Sequence, residues 1–324
     1  MTYGHRPTAG PRGGQTGIDD GCEATVAARF GRRALLDGVR RLKISVITVS
    51  FNAATTIRYS IESFLRQTHP DKELIVVDGA SKDETARIVE SFGAPGVRLI
   101  SEPDSGMYDA ANKGLAAFTG DAIGFLNADD KFADDHALAS IADGLGDADI
   151  VFGNLDFVSD HQSGAVVRRW RGSSFWPGAF KRGWMPAHPT FYVRRSVVDR
   201  LAGFDTRYRI AADYDFMLRT LELQDFRSAF VDKVLVHMMH GGESTSGLGA
   251  HLKHNFEALK SRRQWLGAGL VDYSLFAKPL RKLPQIGMPS FRAGWQERPT
   301  RQTRFGAGAE SVPRPGSIQR VDEG

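Results

Sequence analysis

From about residue 43 to residue 160, short continuous apolar runs alternate with segments of helical spacing. Four apolar runs, at 44–50, 74–78, 97–100 and 122–126, are each followed by a stretch in which apolar residues recur every three or four positions. Strands that are apolar at consecutive positions are typical of a parallel sheet covered by helices on both faces. The pattern therefore predicts an α/β fold built on a mostly parallel sheet.

The composition is that of a globular protein. The chain has 324 residues, 41% hydrophobic and 25% charged, which excludes a collagen-like, wholly disordered or coiled-coil protein. Its formal charge of +4 is uneven, because residues 1–42 carry +3, residues 278–324 carry +5 and residues 43–277 carry −4. A mildly acidic body argues against a basic groove for nucleic acid.

The composition also divides the chain into four segments. Residues 1–42 are predicted to be a disordered extension with a short basic helix near its end. Residues 43–160 are one α/β half, residues 161–277 the second half of the same domain, and residues 278–324 a basic, mostly disordered tail. Basic residues beside apolar ones in that tail, from Lys278 onward, suit a peripheral contact with an anionic membrane.

No membrane-spanning helix is expected, because no run of 18 apolar residues occurs. The first residues lack the apolar core of a secretory signal. The single cysteine, Cys22, excludes an internal disulfide framework and a thiolate zinc cluster. We expect a cytoplasmic protein, either in solution or at the inner face of the cell membrane.

Acidic residues follow three of the four strands: Asp78, Asp104 and the pair Asp129 and Asp130. Ligands of open parallel sheets bind at these carboxyl ends. Helix capping can account for single acids but explains the pair poorly, since adjacent carboxylates repel unless a cation or a proton intervenes. An acidic rim suits a divalent cation or ribose hydroxyls.

Two phosphate-binding patterns are missing from the sequence. No Gly-x-Gly-x-x-Gly follows the first strand, which argues against a dinucleotide site, and no Gly-Lys pair occurs, which excludes a Walker A loop. We therefore expect phosphate to be bound through a metal.

Five motifs, in order, resemble glycosyltransferase family 2. They are Ser45-Val-Ile-Thr-Val-Ser-Phe-Asn52, Ile75-Val-Val-Asp-Gly-Ala-Ser-Lys-Asp83, Glu102-Pro-Asp-Ser-Gly-Met-Tyr-Asp-Ala-Ala-Asn-Lys-Gly114, Phe125-Leu-Asn-Ala-Asp-Asp130, and Gly203-Phe-Asp205 with Ala212-Asp-Tyr-Asp215. The third is similar to a subgroup that builds exopolysaccharides and colanic-acid-like glycoconjugates. The resemblance spans roughly residues 43–245 and implies the GT-A fold, a Rossmann-like, mostly parallel sheet with helices on both faces.

The resemblance implies a donor-nucleotide site at the strand ends, formed by Ser50, Phe51, Asp78, Ser81, Asn127 and Asp129. Asp130 would hold Mg²⁺ or Mn²⁺ against the diphosphate, because a hard cation neutralises charge on the leaving group. Phe51 would stack on the base, with a buried core residue as the alternative. Relatives often carry an arginine at the position of Ala111, which would contact the nucleobase. Lys113 is a candidate substitute for that contact. The alternative is that Lys113 is only a solvated lysine on the helix.

The resemblance further implies that Asp213 is the catalytic base, which takes the proton of an acceptor hydroxyl as its oxygen attacks the anomeric carbon with inversion. The alternative is that Asp213 is an acidic residue in the first turn of a helix, where the helix dipole favours a negative charge. Asp215 lies two positions on, on another face of the helix, where it can pair with Arg219. The acid that usually precedes the base is Ala212 here.

Two histidines are further candidates. His188 is expected to position the acceptor side, and His240 to reach the diphosphate or the metal when a Gly-rich lid at 241–249 closes. His237 and His240 would face opposite sides of a strand, which argues against a zinc site.

The sequence thus predicts a metal-dependent hexosyltransferase-type enzyme. It would move a sugar from a nucleotide donor, by default a UDP-sugar, to a glycan or polyprenyl-diphosphate-linked acceptor. Aromatic residues at 170–184 suit sugar rings, with a buried plug as the alternative. A catalytically degenerate scaffold and a nucleotidyltransferase remain open as alternatives, although the latter should carry a basic Gly-rich loop after the first strand.

Overall fold

The structure is a computed structural model that describes residues 41–241 and 248–267. The predicted N-terminal extension, most of the predicted lid, and the C-terminal tail with its membrane contact lie outside the described residues.

The described residues contain nine strands and seven α-helices. The strands are β1 (Ile44–Ser50), β2 (Lys72–Asp78), β3 (Val97–Ser101), β4 (Ala122–Phe125), β5 (Lys131–Phe132), β6 (Ile150–Val158), β7 (Val166–Trp170), β8 (Tyr192–Arg194) and β9 (Ser228–Met239). The helices are α1 (Ile57–Leu65), α2 (Thr85–Ser91), α3 (Met107–Ala117), α4 (Ala137–Leu145), α5 (Arg195–Leu201), α6 (Ala212–Glu222) and α7 (Leu248–Leu266). Short 3₁₀ turns lie at Phe180–Arg182 and His188–Thr190. The four strands predicted before residue 127 and the helices after them are all present.

The nine strands join one sheet in the order β3-β2-β1-β4-β8-β6-β9-β5, with β7 paired to β6. Strands β1 to β4 pair in parallel, as predicted. Strand β8 runs antiparallel to both of its neighbours, β4 and β6, while β6 and β9 are parallel. The predicted α/β fold is confirmed, and β8, whose direction the pattern does not predict, joins the two halves of the sheet.

Side chains of β1 alternate between two apolar layers. Val46 packs in the layer that contains residues of α1, α2 and α4, and Ile47 packs in the layer of α3 and α6. Helix α3 lies very close to the sheet at Gly114, where a Cβ would come 2.7 Å from Cδ1 of Ile47. Because α3 follows the end of β3 after a short loop, its N-terminus lies at the carboxyl edge of the sheet.

Asn112 ties α3 to the segment before α6. Its Nδ2 donates to the carbonyl of Phe204, and the Phe204 N–H donates to its Oδ1, both at 2.9 Å. Gly203 adopts φ +82°, and a Cβ there would lie 2.7 Å from the same Oδ1. The motifs around Gly114 and Gly203 therefore meet in one contact.

A buried carboxylate joins α6 to α7. Asp215 is 1% exposed and accepts hydrogen bonds from Arg219 Nε at 2.7 Å, Ser261 Oγ at 2.8 Å and Trp265 Nε1 at 2.9 Å. The predicted pairing of Asp215 with Arg219 is present. Asp215 therefore faces α7 and is occupied by these contacts.

We expect Asp215→Asn to lower the free energy of unfolding by about 3 kcal/mol, because it leaves a largely buried guanidinium beside a neutral amide. Asp225→Asn is the matched control, since Asp225 also pairs with an arginine, Arg200, at 3.1 Å but is 92% exposed. Asp225→Asn should lower the free energy of unfolding by less than about 1 kcal/mol. Urea unfolding measures both, and equal losses would contradict the role given to the buried pair.

Candidate active site

The ends of β1, β2 and β3 meet at Asp78. This fully buried carboxylate accepts hydrogen bonds from Ser50 Oγ at 3.1 Å, from the Ser81 N–H at 2.9 Å and from Ser101 Oγ at 2.9 Å, and also from the Ser81 hydroxyl. Four donors match the four acceptor positions of a carboxylate. Asp78 therefore holds three strand ends together, and contacts of Asp78, Ser50 and Ser81 with a nucleotide stay predictions.

Phe51 and the loop after β3 lie close to Gly79 at the same edge. Phe51 is 63% exposed, so it is not the core residue of the alternative interpretation. A Cβ on Gly79 would lie 2.4 Å from Oδ2 of Asp104 and 3.3 Å from Cδ2 of Phe51. Glycine at this position lets the loop after β3 approach the end of β2, with an exposed aromatic ring beside it.

Lys113 fastens the loop after β3 to α3. Its Nζ donates to the Pro103 carbonyl at 2.6 Å and lies 2.9 Å from Oε1 of Glu102. The hydrogen bond to the Glu102 carboxylate raises the pKa of Lys113 above its ordinary value. These contacts give the lysine a local structural role, and a base contact from it stays a prediction.

The adjacent acids after β4 have different surroundings. Asp130 is fully buried and accepts hydrogen bonds from the Met239 N–H at 3.0 Å and from Asn127 Nδ2 at 2.8 Å. Burial, and secondly the charge of Asp129, raise the pKa of Asp130 well above its usual value. Asp129 is partly exposed, and Nε2 of His161 lies 2.6 Å from its backbone carbonyl. Asp129 is the member of the pair nearer to solvent, and the metal contact expected of Asp130 stays a prediction.

The donor atoms fit a hard cation in part. Carboxylate and amide oxygens are ligands that Mg²⁺ and Mn²⁺ prefer, and a cation would relieve the repulsion between the two acids. Within residues 41–241 and 248–267, no group of three or more His, Cys, Asp or Glu side chains is placed to hold a metal. A bound diphosphate and water would therefore have to supply the remaining ligands.

His237 lies on β9 opposite Lys131 of β5, and His240 follows that strand and is exposed. Burial, and secondly the charge of Lys131, lower the pKa of His237, which favours a neutral imidazole. The predicted strand through His237 is confirmed. A contact of His240 with diphosphate or metal stays a prediction.

Asp213 stands in the first turn of α6, and its Oδ1 lies 3.0 Å from the hydroxyl oxygen of Tyr108. Burial lowers the pKa of His188 despite the opposing charge of Asp213, so a neutral imidazole lies near this carboxylate. The His188 ring stacks on Phe125 at the end of β4, with 5.6 Å between ring centroids. Asp213 therefore contacts Tyr108 of α3 directly, and its charge acts on the nearby ring of His188.

The aromatic segment at 170–184 is largely a buried cluster. Trp184 is 8% exposed, and its ring centroid lies within 6 Å of those of Phe152, Phe175, Trp176 and Phe180. Trp176 alone among these five residues is exposed, at 36%. The buried plug is therefore the better description of the cluster, with Trp176 at its rim.

Sequence reasoning missed Tyr108, Asn112 and His161. The first two lie within the third motif. Because that motif follows a strand of the parallel sheet, its residues could have been predicted to lie at the carboxyl edge. Nothing in the sequence marks His161, because its ring contacts a backbone carbonyl.

Comparisons with known proteins agree with this arrangement. A model described as "Glycosyl transferase family 2" matches residues 45–201. A "PGL/p-HBAD biosynthesis glycosyltransferase" of Mycobacterium bovis (strain BCG / Pasteur 1173P2) is 36% identical over 183 residues, which are 54% of this chain and 68% of that relative. The chain belongs to glycosyltransferase family 2. An uncharacterized glycosyltransferase of Mycobacterium tuberculosis (strain ATCC 25618 / H37Rv) is 29% identical over 211 residues, covering 64% of this family 2 chain and 77% of the relative.

Solved structures share the GT-A fold of this glycosyltransferase. S. aureus TarS 1–349 in complex with UDP aligns with a TM-score of 0.54 and 19% identity, covering 74% of this chain and 71% of that one. The mannosyltransferase PcManGT from Pyrobaculum calidifontis, in complex with GDP-Man and Mn²⁺, aligns with a TM-score of 0.54 and 20% identity, covering 79% of each chain. Among the described helices of the glycosyltransferase, none is long and apolar enough to cross a membrane.

In this glycosyltransferase, we expect Asp130→Asn to stabilise the metal-free protein near neutral pH. The pKa of Asp130 in the fold is raised above its unfolded value of about 3.9, so ionising this carboxyl near neutral pH opposes folding. The amide that the variant carries at position 130 has no charge and so removes that cost. The side-chain amide of Asn127 can rotate so that the two side chains remain hydrogen-bonded. The advantage of the variant should shrink as pH falls toward about 4, where the native carboxyl is protonated in both states.

Asp160→Asn is the control, because its effect on stability should have the opposite sign. Hydrogen bonds from Ser163 and Ser159 lower the pKa of Asp160 to about 2, so its stabilising effect is present above about pH 4 and is lost as pH falls toward the folded-state pKa. Thermal unfolding over this range, with a chelator present, measures both variants. A destabilised Asp130→Asn protein near neutral pH would refute the assigned burial cost.

Proposed function

We propose that this protein transfers a sugar from a nucleotide-diphosphate donor, by default a UDP-sugar, to a hydroxyl of a glycan or lipid-linked acceptor, with inversion. The main support is the position of Asp213. Its Oδ1 lies 3.0 Å from the hydroxyl oxygen of Tyr108, at the start of α3. This is the edge of the sheet at which the donor motifs end. A carboxylate beside a nucleotide site is the group that such a transfer requires as a base.

On the donor side, the exposed ring of Phe51 supports stacking on a base. We assign Asp129 as the carboxylate that faces a divalent cation, with buried Asp130 and Asn127 holding its loop. When bound, Mg²⁺ or Mn²⁺ would neutralise the charge on the leaving diphosphate. The UDP of the TarS complex and the Mn²⁺ of the PcManGT complex are in line with this assignment.

On the acceptor side, Asp213 receives the proton of the attacking hydroxyl. The acceptor oxygen forms a bond to the anomeric carbon, and the bond from that carbon to the diphosphate breaks with its electron pair leaving on the diphosphate. A single displacement of this kind inverts the configuration at the carbon. This is hexosyltransferase-type chemistry.

The acceptor is proposed to be lipid-linked, in polysaccharide or glycoconjugate biosynthesis at the inner face of the membrane. Support comes from the relative whose name places it in PGL/p-HBAD biosynthesis. Exposed Trp176 and its exposed basic neighbours Arg171, Lys181 and Arg182 suit a sugar ring joined to a diphosphate. The similarity of the third motif to colanic-acid-type enzymes stays a prediction.

We expect UDP to stabilise the protein against heat only when Mn²⁺ is present, because the cation offsets repulsion between diphosphate and carboxylates. A shift of a few degrees at saturating UDP is expected, and Asp129→Asn should abolish the metal dependence. GDP and dTDP are tested in parallel, with Asp160→Asn as a surface control. Metal-dependent stabilisation that survives in Asp129→Asn would contradict the assignment.

We expect Asp213→Asn to lower kcat for sugar transfer by at least about a hundredfold while the protein stays folded, since an amide cannot accept the hydroxyl proton. Asp225→Asn, an exposed acid away from the site, should transfer normally. Release of UDP from UDP-sugars with a panel of glycan and lipid-linked acceptors measures both. Near-normal transfer by Asp213→Asn would remove Asp213 from the role of base.

A further inference from the structure

We propose that Tyr108 is a positioning residue whose hydroxyl follows the protonation state of Asp213. Its proton points at Oδ1 of Asp213 while that carboxylate is ionised, and turns to the carbonyl of Ile210 once the carboxylate has been protonated. The inference rests on the proposed function, in which Asp213 is the base.

The Tyr108 hydroxyl lies between two acceptors. Its oxygen is 2.8 Å from the Ile210 carbonyl and 3.0 Å from Oδ1 of Asp213. A phenol carries a single proton, so it cannot make two full hydrogen bonds as a donor. While Asp213 is ionised, the charged acceptor is favoured because hydrogen bonds to ions are roughly twice as strong as neutral ones.

Protonation of Asp213 reverses the arrangement. The new acid O–H can donate to the oxygen of Tyr108, which has lone pairs available. The tyrosine proton is then released to the Ile210 carbonyl, and both groups remain hydrogen-bonded. The hydroxyl thus holds the carboxylate in one orientation before and after it takes a proton, with no water needed.

The position of the hydroxyl is set by the fold. Tyr108 is 6% exposed, and its ring packs against Phe204 with 5.6 Å between centroids. Asn112 holds the backbone of the same Phe204, so α3 is tied to the segment before α6. Gly106, with φ +127°, turns the chain into α3 two residues before Tyr108.

The charged and titratable groups around this contact are few among the described residues. Glu257 of α7 accepts hydrogen bonds from the N–H groups of Ile210 at 2.9 Å and Ala211 at 3.1 Å, and His188 lies near Asp213 with its pKa lowered by burial. Burial, then the charge of Asp213, and to a lesser degree that of Glu257, raise the pKa of Tyr108 well above its usual value. Tyr108 therefore remains a proton donor throughout the neutral range.

The decisive variant is Tyr108→Phe, which keeps the ring and removes the hydroxyl. Losing a donor to the ionised carboxylate favours its protonated form, so the acid limb of the pH profile of kcat/KM should move upward by about one pH unit. On the high-pH plateau, kcat should fall by less than about tenfold, and KM for the donor should not change. A tyrosine that only filled space would lower activity by the same factor at every pH.

Tyr192→Phe is the matched control. Tyr192 is fully buried, and its hydroxyl has no hydrogen-bond partner among the described residues. The same atom is removed from a similar environment, but no carboxylate is next to it. Its pH profile should coincide with that of the wild type.

A second readout does not depend on transfer. Carboxyl ¹³C NMR of aspartate-labelled protein, with Asp213→Asn used to assign the resonance, reports the ionisation midpoint of Asp213 directly. The midpoint should rise by about one pH unit in Tyr108→Phe and stay in place in Tyr192→Phe.

An unchanged midpoint in Tyr108→Phe, with Asp213→Asn inactive, would overturn the role of Tyr108 and leave the proposed function intact. Normal transfer by Asp213→Asn would instead show that Asp213 is not the base. The contact between Tyr108 and Asp213 would then have no role in catalysis. A raised midpoint together with a shifted acid limb would support both.

Discussion

The pair of hydrogen bonds between Asn112 and the backbone of Phe204 is the constraint on which the site depends. It joins α3, the first helix after β3, to the segment that leads into α6, so the two halves of the proposed site share one contact. Tyr108 and His188 both pack against the ring of Phe204, and Asp213 contacts Tyr108. The contact at Phe204 therefore links the groups around Asp213 to both motifs.

Two pairs of nearby acids each combine a buried carboxylate with a partly exposed one. Asp130 and Asp215 are both almost completely buried and accept hydrogen bonds from the protein, whereas Asp129 and Asp213 are partly exposed. Hydrogen bonds from the protein occupy the buried acid of each pair. In the proposed function, the partly exposed members, Asp129 and Asp213, are the ones that meet a ligand.

The strands, the helices and the acidic edge could be predicted because they depend on local periodicity and on where parallel strands end. The burial of Asp130 could not, since one of its hydrogen bonds comes from the N–H of Met239, 109 residues further along the chain. The same holds for Asn112, whose partner lies 92 residues away. Residue types alone do not specify such long-range pairings, and the direction of β8 is also set by tertiary packing.

The antiparallel strand β8 has a consequence for how the chain reaches its fold. Strand β4 has β1 on one side and, on the other, only this three-residue strand, which comes much later in the sequence. Until β8 is synthesised and docks, the parallel half ends in an open edge of unpaired backbone groups that can pair with other chains. The nascent N-terminal half is therefore the form most exposed to aggregation, and completion of the sheet closes that edge.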